Sequence, residues 1–352
     1  MTPADEPGTR TTRAAGREGA APVDGGEPRA SGAPGRGSAA GVTVRVPAKV
    51  NVQLAVGAPR ADGFHDLANV FLAVGLYDEV TVTPADELRV TVSGPDAHLV
   101  PLDRTNLAAR AAELLAARHG VADGRVHIHI AKDIPVAGGM AGGSADGAGA
   151  LLACDALWGT GATRSELLDI CAELGSDVPF SLVGGAALGR GRGELLTPLE
   201  VGGTFHWVFA LADGGLSTPA VYRECDRLRA DEAVPEPEPS PALLEALRTG
   251  DADALAATMA NDLQPAAVSL RPALADTLRA GTEAGALAAL VSGSGPTTAF
   301  LAQDADAAER IAASLRASGT CRTARVAASP APGARVLGVP PTPKAMGEGQ
   351  RP

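Results

Sequence analysis

The chain has 352 residues, with 30 Lys and Arg against 41 Asp and Glu, for a formal net charge of −11. Nucleic-acid binding needs a basic surface that releases counterions, so this balance argues against it. At 45% hydrophobic the chain can bury a core for roughly two domains, and with 3% aromatic residues that core must be built from Ala, Val and Leu.

Residues 1–40 hold one Val, no Leu, Ile or aromatic residue, and dense Gly, Pro and Arg. Such a segment cannot offset its ordering entropy by burial, which predicts a disordered tail there and a second over 339–352. Asp5, Glu6, Glu18, Asp24 and Glu27 balance the arginines, against a transit peptide. Order begins at Val42, where Val42, Val44 and Val46 alternate with Thr43 and Arg45 at strand period. Further strands are expected over Val80–Val82, Leu88–Val92 and Val126–Ile130, and helices over Asn106–His119, Ala145–Leu157 and Ser165–Leu174.

The pattern restarts at Thr204–Leu211. An acidic, proline-rich surface excursion follows at Asp231–Pro241, then helices at Pro241–Arg248 and Leu270–Ala280. A strand pair around Ala289–Val291 and Thr298–Leu301 and a helix over Asp304–Ser318 complete the reading, an α+β fold with domains over 41–200 and 201–338. The longest uncharged run, Ala284–Gln303, is broken by Ser292-Gly293-Ser294-Gly295-Pro296 and reads as a loop between apolar segments. Cys154, Cys171, Cys225 and Cys321 form no CxxC pair and read as small buried hydrophobes in a reducing compartment. A soluble, cytoplasmic protein is expected.

The strongest local signal runs from Pro135 through Val136, Ala137, Gly138, Gly139, Met140, Ala141, Gly142 and Gly143 to Ser144. A Gly-rich turn feeding a helix presents backbone N–H groups and the positive end of the helix dipole, as a polyphosphate requires. It fits neither a P-loop nor a Rossmann fingerprint. A second loop, Ser292–Thr297, is positioned to close over the same phosphates. Asp177, in Gly175-Ser176-Asp177-Val178-Pro179-Phe180, reads either as a turn residue or as a carboxylate base near the phosphate. Lys49 and Asn51 interrupt an apolar strand and face the same side; a buried Lys implies a carboxylate or phosphate partner. Phe64 and His65 share a turn that suits a flat ligand ring, and His127 and His129 share a strand face, more readily solvent-facing than a metal pair.

The strings PAKVN from Pro47, DGFHDL from Asp62, the Gly-rich run from Pro135, GSDVPF from Gly175, STPAVY from Ser217 and SGSGPT from Ser292 occur in that order. Together they resemble the GHMP kinase superfamily from about residue 42 to 338, and within it the family acting on 4-diphosphocytidyl-2-C-methyl-D-erythritol. The resemblance implies an N-terminal domain like ribosomal protein S5 domain 2 and a ferredoxin-like C-terminal domain, with ATP and substrate meeting between them. It also implies ATP and Mg²⁺ as cofactors, and transfer of the γ-phosphoryl to the 2-hydroxyl of that substrate, a step of the non-mevalonate route to isoprenoid precursors.

By the same resemblance Asp177 matches the catalytic Asp, accepting the hydroxyl proton, and Lys49 the catalytic Lys, which holds Asp177 ionised and steadies the phosphoryl. Asn51 would orient the substrate, Gly138 to Ser144 would wrap the ATP phosphates with Ser144 close to Mg²⁺, and Asn106 and Lys132 would lie near the adenine. Phe64 and Tyr222 would sandwich the cytosine while His65 hydrogen-bonds its edge. Departures from the family pattern are Phe64 in place of Tyr, Ala137, Met140 and Ala141 in the phosphate loop, and Ser181 in place of a second Phe. Rival readings are a GHMP kinase for homoserine, mevalonate or a sugar, disfavoured by DGFH and GSDVPF, and a catalytically dead relative, disfavoured by Lys49 and Asp177. A monomer and a homodimer both stay open.

Overall fold

The structure is a computed structural model that describes residues 41–338; the tails expected at 1–40 and 339–352 lie outside the described residues. In chain order the first half runs β1 (Val42–Pro59), β2 (His65–Pro84), β3 (Arg89–Ser93), α1 (Leu107–His119), β4 (Val126–Ala131), α2 (Gly142–Trp158), α3 (Arg164–Leu174), α4 (Val178–Val183), β5 (Ala186–Arg190) and β6 (Leu195–Pro198). The second half continues β7 (Phe205–Leu211), α5 (Thr218–Leu228), α6 (Pro241–Thr249), α7 (Ala252–Thr258), β8 (Ala260–Asn261), α8 (Gln264–Leu270), α9 (Ala273–Glu283), β9 (Ala288–Val291), β10 (Thr298–Ala302), α10 (Ala305–Ser318), β11 (Thr323–Ser329) and β12 (Arg335–Val336).

The fold is α+β, as expected. One sheet of eight strands runs β12-β1-β2-β4-β3, with β5 and β6 branching from β2 and β8 parallel to β1; the other, of four antiparallel strands, runs β11-β7-β10-β9. The long antiparallel β1–β2 pair is Val-rich, as branched side chains suit a pleated buried surface. Its register slips between Asn51 and Gln53, so the strand bends beside the polar residues it carries.

Period-two alternation in β7 explains how one strand serves two cores: Phe205, Trp207 and Phe209 enter the core shared with the first sheet, while Val208 and Ala210 pack with Phe300 and Ile311 under α10. Several helix starts are capped by side chains. Asn106 Oδ1 accepts from Ala108 N at 2.8 Å, Thr163 and Glu166 form a capping box, and Asp304 accepts from Ala307 N.

The helix expected over Leu270–Ala280 is divided: Leu270 ends α8 and Pro272 precedes α9, because a proline disfavours helical backbone in the residue before it, here Arg271 at φ −141° and ψ 82°. The excursion at Asp231–Pro241 has no regular structure but is tied down, since Gln53 donates to Glu238 O and accepts from Ser240 N, both at 2.8 Å. Among the described residues no helix is long and apolar enough to cross a membrane.

Candidate active site

A cavity of about 750 Å³ gathers residues from β1, the turn before β2, the loop into α2, the start of α4, and α5. Along its floor Ala137–Gly143 turns into α2. Ala137 and Ala141 adopt φ 53° and 58°, left-handed values that cost a non-glycine residue about 1 kcal/mol or more each. Gly139 is irreplaceable on contact grounds as well, because a Cβ there would lie 2.0 Å from Ser292 O. Ala141 is the N-cap and has no side chain to satisfy the first-turn N–H groups of α2, which stay available to an anion. Gly142, Gly143 and Ser144 line the cavity at that helix start.

The second Gly/Ser loop meets the first. Ser292 Oγ donates to Gly139 O at 3.1 Å, Thr297 N to Gly138 O at 3.3 Å, and Gly293 and Ser294 reach the cavity wall. Asn261 anchors this loop, donating to Val291 O and Gly293 O at 2.7 Å.

Lys49 and Asn51 share one face of β1, as strand period requires. Lys49 Nζ donates to Asn51 Oδ1 at 2.7 Å and to Gly139 O at 2.9 Å, and lies 3.6 Å from Asp177 Oδ2. Burial pulls the Lys49 pKa below its ordinary value, opposed by the charge and hydrogen bond of Asp177. Asp177 sits at the N-cap of α4 but makes no capping hydrogen bond, which leaves its carboxylate, 31% exposed, to the cavity. Asn51 is held in turn: its Nδ2 donates to Asn69 Oδ1 at 2.6 Å, so its Oδ1 must face Lys49. Asn69 went unread in the sequence although it carries the same signal as Asn51, a polar residue within an apolar strand.

At the far end, Phe64 is 48% exposed beside the cavity, and the Arg192 guanidinium lies 5.1 Å from its ring centroid. The ring against Tyr222 is that of His65, at 5.0 Å and 33°, and His65 Nε2 lies 2.8 Å from Asp226 Oδ1. Arg192 and Asp226 had no local sequence signal, because an Arg in a Gly-rich hairpin and an Asp on a helix are ordinary surface residues until the fold turns them inward.

Asn106, Lys132 and Val136 lie elsewhere, around a neighbouring cavity of about 120 Å³ that shares Leu107 and Gly143 with the larger one. Met140 is fully buried, and Pro135 and Met140 line neither cavity. The Lys132 ammonium is held by Asp78 at 2.5 Å and Asp146 at 2.9 Å, both buried. Burial opposes its charge, but the two carboxylates outweigh that and raise its pKa. Burial also drives the Asp146 carboxyl well above the usual range, against the pull of Lys132. Among the described residues no cluster of three or more His, Cys, Asp or Glu suits a metal ion, and His127 and His129 both hydrogen-bond Thr91 Oγ1 instead.

The family of GHMP kinases N terminal domain matches residues 106–185, and that of GHMP kinases C terminal matches 243–321. A Streptomyces avermitilis protein named 4-diphosphocytidyl-2-C-methyl-D-erythritol kinase is 79% identical over 296 residues, 84% of this chain and 99% of the relative. Its namesake from Thermobifida fusca is 62% identical over 305 residues, 84% of this chain and 98% of the relative. A crystal structure of 4-(cytidine 5'-diphospho)-2C-methyl-D-erythritol kinase is 35% identical with a TM-score of 0.67, covering 81% of this chain and 98% of that one. A homoserine kinase from Cytophaga hutchinsonii, 20% identical with a TM-score of 0.64 over 84% of this chain and 97% of that one, shares the fold. The phosphate-type loop, the Lys49–Asp177 pair and these near full-length identities lead to one conclusion: the chain belongs to the 4-diphosphocytidyl-2-C-methyl-D-erythritol kinases, within the two-domain GHMP kinase fold.

Proposed function

We propose that this chain transfers the γ-phosphoryl of ATP to the 2-hydroxyl of 4-diphosphocytidyl-2-C-methyl-D-erythritol in the non-mevalonate route. The observation that carries the reading is that Lys49 and Asp177, 3.6 Å apart, share one cavity with the Gly138–Ser144 loop. The substrate oxygen attacks the γ-phosphorus, the bond to the bridging oxygen of ADP breaks, and the hydroxyl proton passes to Asp177. Lys49 balances charge on the transferring group, and Asn51, held by Asn69, keeps Lys49 in place. Such a transfer is catalysed mainly by alignment and charge neutralisation, so a well-placed carboxylate serves.

The loop and the N-terminus of α2 would hold the phosphates, and the smaller cavity lined by Asn106 and Lys132 the adenine side, Lys132 contributing through its buried pairs with Asp78 and Asp146 rather than as a free ligand cation. Mg²⁺ fits the donor set, since it takes few protein oxygens and keeps several waters; the Ser144 hydroxyl on the cavity wall would hold it, and it would neutralise phosphate charge. Phe64, Tyr222 and His65 form the base end. The division near residue 200 belongs to this proposal and is supported by the two family matches, which fall on either side of it. So does a cytoplasmic setting, which suits four free thiols and supplies ATP.

The test offers the full chain ATP, Mg²⁺ and, in parallel, 4-diphosphocytidyl-2-C-methyl-D-erythritol, homoserine, mevalonate and galactose. Turnover of the cytidyl substrate alone is expected. Turnover of another alcohol in its place would discard the base end while keeping the phosphate loops.

A further inference from the structure

We propose that Asp226 is a positioning residue: it sets the tautomer of His65, so that the base end of the cavity selects cytosine over uracil. The inference rests on the cytidyl reading above. His65 opens β2 with its side chain 6% exposed and its ring packed against Tyr222, so its orientation is held by two contacts from α5. One of them is chemical. A carboxylate can only accept, so the proton in the 2.8 Å contact between His65 Nε2 and Asp226 Oδ1 resides on Nε2.

In the neutral ring Nδ1 then carries the lone pair. No described protein group hydrogen-bonds Nδ1. The buried side-chain atoms left without a partner among the described residues are Asp146 Oδ1 and Thr298 Oγ1. Nδ1 is not among those sealed atoms, and the residue that carries it lines the cavity.

Charge points the same way. A substrate carrying a diphosphate is repelled by a carboxylate on the wall, where Arg192 and Arg223 are the matching groups. Asp226 at that wall makes sense through its effect on the imidazole. An acceptor nitrogen pairs with the 4-amino group of cytosine. Opposite uracil it meets the 4-oxo group, and two acceptors are left unpaired in a desolvated pocket, a mismatch that discriminates by orders of magnitude.

The experiment compares the full chain with Asp226→Ala at mildly alkaline pH, using the cytidyl substrate and its uridyl analogue. Isotope-labelled histidine lets nitrogen NMR show which ring nitrogen of His65 is protonated. The native chain is expected to prefer the cytidyl substrate by about 100-fold in kcat/KM or more, with the proton on Nε2. In Asp226→Ala the preference should fall about tenfold and the proton should spread over both nitrogens. Asp226→Asn, whose amide oxygen can still accept from Nε2, should recover most of the preference. An unchanged preference in Asp226→Ala, or a native His65 protonated on Nδ1, overturns the proposal. Turnover of neither nucleotide substrate by the native chain would instead defeat the cytidyl reading, and the NMR result alone would then decide the tautomer.

Discussion

Replacing Lys49 by Met separates charge from packing in the catalytic pair. At an effective dielectric near 20, two unit charges 3.6 Å apart attract by about 5 kcal/mol. Asp177 is 31% exposed, so water screens part of this, and about 2–4 kcal/mol is left to act on charge in the transferring group. That range corresponds to a kcat lower by roughly 30- to 1000-fold. Stability should respond differently. Burial lowers the Lys49 pKa from 10.5, with Asp177 opposing, so keeping this ammonium charged works against folding.

Met removes that cost but deprives Asn51 Oδ1 and Gly139 O of a donor, and the two effects offset one another to within about 1 kcal/mol in urea unfolding. The folded pKa lies below the unfolded one, so between the lowered value and 10.5 the unfolded chain binds more protons and native stability rises with pH. Activity, which needs the charge, should fall over that same window. The assay is ADP release against pH for native chain and variant, with urea unfolding beside it. A variant that keeps kcat within threefold and retains the alkaline fall in activity would refute the role given to Lys49.

Asp177→Asn should keep ATP and substrate affinity while lowering kcat by about 10³-fold, and single-turnover kinetics showing near-native chemistry would sink the assigned proton transfer. Phe64→Ala should weaken cytidyl-substrate binding by about 1–3 kcal/mol with the ATP KM unchanged; an equal rise in both KM values would count against base stacking at this exposed ring. Lys132→Met should destabilise by about 3–5 kcal/mol in urea, since it strands two buried carboxylates. That deficit should shrink as pH falls, because the Asp146 carboxyl, already raised by burial, takes up a proton readily. A deficit below about 1 kcal/mol would show that the triad is not sealed from water.

Local patterns carried much of this protein. Valine alternation announced β1, capping residues placed α1, α3 and α10 to within a residue or two, and the proline after Arg271 held the break between α8 and α9 that periodicity alone passed over. The Gly-rich run and the Lys49–Asn51 spacing were legible for a similar reason: turn geometry and strand period are short-range properties, settled within a few residues.

What the chain could not announce locally is who meets whom. Lys132 reads as a ligand cation until Asp78, 54 residues before it, and Asp146, 14 residues after it, enclose its ammonium. His65 waits for Asp226 across 161 residues, and Gly139 owes its necessity to Ser292, 153 residues away. The pairing of β8 and β12 with β1 likewise brings distant chain back to the first strand. These contacts form only when two sheets and their helices bury a common core, so burial and charge balance at the site are tertiary quantities. The sequence by itself determined which residues could do phosphoryl-transfer chemistry; the tertiary structure decided which of them share a cavity and which are spent holding it together.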